Sequence, residues 1–62
     1  MIFLTDGSGA IYRIDKKDED EVILAIINKH GQTISETCIP AFIAETLIEE
    51  YQEVDNDGNY QN

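Results

Sequence analysis

Carboxylates at a regular spacing are the residues of this chain best suited to do chemistry. Glu45, Glu49 and Glu53 recur every four residues, with Glu50 beside them. On a helix, four residues advance about 6 Å along the axis, so the three would form a ladder on one face. Like charges at that spacing oppose helix formation, and acids in a last turn oppose the helix dipole. No Lys or Arg follows Lys29, while Glu36, Asp55 and Asp57 add further acids. A sequence that breaks two local rules together is expected to keep the charge for a target outside itself. The chemistry is ionic: such a ladder receives Arg and Lys side chains that otherwise grip phosphates. The row also reads as the solvated outer face of a surface helix, where charges contribute little.

The remaining candidates are weaker. Asp18, Glu19 and Asp20, followed by Glu21, extend the acidic surface or simply keep a loop solvated, and Lys16 and Lys17 partly neutralise them. Phe42 falls off the apolar stripe of the predicted helix and is the best apolar contact for a partner. Cys38 is the only thiol and His30 the only imidazole. A catalytic cysteine needs a base, and no spacing places these two together. Cys38 is therefore expected to be buried and inert, His30 to be a turn residue, and the protein not to be an enzyme. Glu53-Val54-Asp55-Asn56-Asp57-Gly58 resembles the start of a calcium loop, but the sequence ends before the twelfth position, which supplies the bidentate glutamate. Asp6-Gly7-Ser8-Gly9 lacks the lysine of a phosphate cradle and reads as a turn. Tyr12, Phe42 and Tyr60 have no interleaved basic residues, as stacking on single strands would require. Neither metal nor cofactor is expected.

Size and charge narrow the classes. The chain has 62 residues, one domain at most. Such a chain buries only about 60% of the surface its unfolded form exposes. A single cysteine excludes an intrachain disulfide, and a single histidine argues against a structural zinc. Self-association is the remaining way to enlarge the core, so a homodimer is expected. Thirteen acids against four bases give a net charge of −9. That balance disfavours direct contact with nucleic acid or anionic membrane. An apolar fraction of 42% is too high for a wholly disordered acidic chain. Met1-Ile2-Phe3-Leu4 has no basic flank and does not read as a signal peptide. The apolar run Val22 to Ile27 is too short to span a bilayer. A lone cysteine fits a reducing cytoplasm.

These side chains must be positioned by a few short elements. Ile2 to Thr5 and Ala10 to Asp15 read as strands joined by the glycine-rich turn. Asp15 to Glu21 reads as a charged loop. Val22 to Lys29 favours strand, because three isoleucines and a valine crowd six apolar positions; a helix is the alternative. His30-Gly31 predicts a tight turn into a half-buried strand, Gln32 to Cys38, with Ile27 facing Ile34 and Ile23 facing Cys38. Pro40 marks the first turn of a helix running to about Glu53, with Ile43, Ala44, Leu47, Ile48, Tyr51 and Val54 as its apolar stripe.

The expected fold is α+β: an antiparallel meander of three to four strands with one C-terminal helix packed on one face, or ββαβα if residues 22–29 are helical. Residues 1–54 form the domain and 55–62 a polar tail. Ile11, Leu24 and Ile26 are expected on an uncovered sheet face that a second subunit would meet. The expected function is a non-catalytic acidic module that binds and inhibits or regulates a basic, nucleic-acid-handling protein, as a DNA mimic does. Small inhibitors encoded by phages and mobile elements share this size and charge, by composition alone. The binding residues would be Glu45, Glu49, Glu50, Glu53, Phe42, Asp18, Glu19 and Asp20. The alternative is an accessory homodimeric subunit that binds through the apolar sheet face.

Overall fold

Alternating side chains and glycine-rich turns build one antiparallel sheet in the computed structural model, which describes residues 1–54. The strands are β1 (Ile2–Thr5), β2 (Ile11–Lys16), β3 (Glu21–Ile27) and β4 (Thr33–Pro40). Helix α1 (Ala41–Glu50) and a short strand β5 (Gln52–Val54) follow. The order across the sheet is β4-β3-β2-β1-β5. The fold is thus α+β, a meander with a helix after its fourth strand, and residues 21–27 are strand. The fifth strand exceeds the three to four read from the sequence.

Register separates the two faces. Leu4 pairs with Tyr12, Ile14 with Leu24, and Val22 with Ile39. Leu4, Ile14 and Ala44 form the core, joined by Ile2, Tyr12, Val22, Leu24, Ile39, Leu47 and Tyr51. Helix α1 therefore covers this face. Leu24 belongs to it, and Ile26 shares it by pairing with Tyr12. Both were expected on the uncovered face; a strand whose two sides are apolar gives no sign of which side meets the helix. The open face carries Phe3, Ile11, Ile23 and Ile27 instead, all half-buried. At its centre Arg13 and Glu36 each pair with Ala25 and reach across it at 3.3 Å, leaving Ala25 fully buried.

The turns explain where strands stop. Thr5 Oγ1 donates to the Ala10 carbonyl and accepts from the Gly7 amide, both at 3.1 Å. Gly7 and Gly9 have φ of 87° and 98°, a region that costs other residues about 1–2 kcal/mol. The charged loop is shorter than expected: Asp15 and Lys16 belong to β2 and Glu21 to β3. Asp15 is held in the strand by Arg13, whose Nε lies 3.0 Å from Asp15 Oδ2. The expected two-residue turn at His30-Gly31 is wider. Asn28 Oδ1 accepts from the amides of His30 and Gln32, at 2.9 and 3.0 Å. Ile23 faces Cys38 as expected, but Ile27 faces Thr33, because the register shifts between Ile26 and Ile27. That bulge leaves Ile34 unpaired and 63% exposed. Strand β4 is an exposed edge rather than half-buried, with only Ile39 tucked in.

Candidate anionic interface

Pro40 ends β4 with φ −60° and serves as the N-cap of α1, one position before the first turn. The Ala41 amide, one of the donors a helix start leaves open, donates to the Asp20 carbonyl at 2.8 Å. This bond ties the acidic loop to the helix. Asp18 Oδ1 accepts from the amides of Asp20 and Glu21 at 2.8 and 2.9 Å, so one loop acid shapes its own turn. Loop acids beside a helix N-terminus also meet the favourable end of the dipole.

Inward, the helix presents Ala44, Leu47 and Tyr51, and the Tyr51 ring lies 5.2 Å from that of Tyr12. Outward it presents Glu45, Thr46, Glu49 and Glu50, all exposed, and Phe42, 67% exposed. Helical spacing sets Phe42 beside Glu45 and Thr46. No basic residue occupies the last turn. Among the described residues, the ion pairs are Arg13 with Asp15 and Glu36, and Lys17 with Glu21. None engages Glu45, Glu49, Glu50 or Glu53.

The expected ladder is shorter than its spacing implied. The helix closes at Glu50, with the Tyr51 amide bonded to the Leu47 carbonyl at 2.8 Å. Glu53 lies in β5 opposite Leu4, so it is not a rung. Val54 likewise leaves the helical stripe and is buried opposite Phe3. Two forces end the helix there. Continued helix would place more acid at the negative end of the dipole, whereas the free edge of β1 offers a hydrogen-bonding ladder and a site for β-branched Val54.

The loop and helix meet at a cleft of about 300 Å³. Its floor is Ile2, Ile14, Val22, Ala44 and Ile48, and Asp18, Glu19 and Glu45 stand around it with Lys16. Asp18 and Glu19 thus share a rim with Glu45, while Asp20 contributes only its carbonyl to the helix. Sequence reasoning missed this apolar floor. Ile48 is 41% exposed at the margin of the helix stripe, and only its tertiary neighbours reveal the cleft.

The chemical alternatives separate spatially. Cys38 is exposed, not buried, because β4 is an edge; it accepts a 3.4 Å contact from Lys17 Nζ, which raises the Lys17 pKa. His30 sits in the turn beyond the other end of β4, and the five steps from Thr33 to Cys38 span about 17 Å. They form no catalytic pair. Among the described residues, no group of three His, Cys, Asp or Glu side chains is placed to hold a metal ion. The calcium-loop reading begins at Glu53 and Val54, which lie in β5; its remaining residues and the polar tail fall within 55–62, outside the described residues. None of the described helices is long and apolar enough to cross a membrane. No protein-family model, curated protein or solved structure matches the chain.

Proposed function

We propose that this chain is a non-catalytic acidic binding protein of the cytoplasm, whose target is a basic protein that handles nucleic acid. The observation that carries the reading is the outer face of α1. Glu45, Glu49 and Glu50 point to solvent, and no described cation answers them. Carboxylates held on a helix are pre-positioned for Arg and Lys, so binding costs little ordering of the acidic side. Phe42 among them offers an aromatic face on which an arginine stacks. Asp18 and Glu19 widen the anionic surface across the cleft. Glu53, displaced into β5, stands at its margin.

Affinity capture from the native host's lysate, with Glu45→Lys/Glu49→Lys as the paired variant, tests this reading. The unaltered chain captures a basic protein at low salt and releases it at high salt, and duplex DNA competes for that protein. The double variant captures none. Capture that is equal for both chains, or indifferent to salt, rejects the ionic mechanism.

A further inference from the structure

The longest strand of the described sheet lies at its edge. Strand β4 has 8 residues, whereas β5 at the opposite edge has 3. Every residue from Thr33 to Cys38 is exposed, and no described strand pairs with the outer side of β4. Such an edge offers a row of unpaired amides and carbonyls to any extended chain. The usual guards are sparse: β4 has no lysine, and its proline is the last residue. The bulge beside Ile27 is present, but it pushes Ile34 outward rather than covering it.

Charge selects the occupant. The protein carries a net charge of −9, so two copies repel over most of their surfaces. Strand β4 is the exception, with one acid, Glu36, already held by Arg13 at 3.3 Å. The strand Thr-Ile-Ser-Glu-Thr-Cys is also rich in the β-branched residues that favour pairing. A small domain with few buried side chains gains most from extending its sheet.

We propose that β4 pairs antiparallel with β4 of a second copy, about a two-fold axis at Ser35. Such an axis runs normal to the sheet, so each face continues across the junction and partners occupy the same face. Centred on Ser35, it sets Ile34 against Glu36 of the second copy; the bulge puts Thr33 and Thr37 on opposite faces, so the symmetric ladder is confined to residues 34–36. Centred on Glu36, it would bring two carboxylates together, which cross-strand pairing disfavours. The two sheets become one, and both α1 helices lie on the same side. This pairing stands whether or not the acidic face binds a basic target.

Sedimentation equilibrium of the purified chain, from micromolar to millimolar concentration, tests it. The expected mass is that of two copies, retained at high salt because main-chain hydrogen bonds hold the junction. Ile34→Glu faces Glu36 twice in the symmetric pair and weakens association by about tenfold. Ile34→Lys faces the same carboxylates and retains it. Ile34 is exposed, and circular dichroism checks that both variants fold. In the unaltered chain, amide exchange over 34–36 slows as concentration rises. A single-copy mass throughout, or a dimer indifferent to Ile34→Glu, overturns the proposal; the latter assigns association to another surface. Protection of β4 only when a different protein is added also overturns it.

Discussion

At the scale of single residues, Asp6 shows how a surface turn is fixed by one carboxylate. Its Oδ1 accepts from the Ser8 hydroxyl at 2.6 Å and the Ser8 amide at 2.9 Å, and Oδ2 accepts from the Tyr12 hydroxyl at 3.0 Å. These bonds, Ser8 foremost, hold the Asp6 carboxyl below its ordinary value, and the same contact raises the Tyr12 hydroxyl. A depressed carboxylate stabilises the fold above its unfolded pKa and loses that contribution as pH falls through the folded value. A raised tyrosine contributes below its unfolded pKa and loses that contribution as pH rises through the folded one. Following the Asp6 carboxyl by NMR across acid pH should show it titrating below an unperturbed aspartate. Tyr12→Phe should move it upward and Ser8→Ala further. An Asp6 that titrates normally in the unaltered protein contradicts the turn described above. The turn itself was legible in Asp-Gly-Ser-Gly. The Tyr12 contact was not, since it needs the register of β1 against β2.

At the scale of elements, α1 and β5 divide the acids differently from the sequence spacing. Glu45 and Glu49 remain a like-charge pair four apart, and Glu49 also opposes the dipole. Glu49→Lys removes both penalties. It should raise stability to denaturant by about 0.5–1 kcal/mol while weakening capture of a basic target. Glu53→Lys, lying in β5, should weaken capture less than Glu49→Lys. Equal losses would place Glu53 on the same binding surface as the helix acids. β1, β2, β4 and the helix were readable because their alternation and stripe follow local period, whereas β3, apolar on both sides, was favoured as strand only by its β-branched residues and left a helix open. β5 was not, for three residues carry too little pattern, and only the free edge of β1 gives them a partner. The β4 register was readable up to Ile26, beyond which the wider Asn28–Gln32 turn absorbs one residue as a bulge.

At the scale of the whole molecule, a thin core carries the fold. Among the described hydrophobics, Leu4, Ile14, Ala25, Ala44 and Val54 are buried, and Leu4 is the largest fully buried side chain. Leu4→Ala should cost about 2–5 kcal/mol, from lost transfer and the cavity left behind. Domains of this size hold only about 3–9 kcal/mol in total. Urea unfolding should therefore show a variant close to its transition at room temperature, and a loss under about 1 kcal/mol, the order of a surface change, would mean that the core lies elsewhere. Crowded negative charge adds self-repulsion, so moderate salt should raise the stability of the isolated chain while it weakens an ionic complex.

Composition by itself determined the acidity, the small single core and the exclusion of disulfide staples, because these depend on residue counts alone. Local period determined the strand-turn-strand order and the helix, because backbone geometry repeats every two or 3.6 residues. Tertiary structure decided which face of β3 meets the helix, that Glu53 leaves the acidic row, that Cys38 and Ile34 stand on an open edge, and that the Asp18-Glu19 loop joins Glu45 at one cleft. Each is set by pairing between residues distant in the chain, and a one-dimensional pattern holds no record of which distant partner wins.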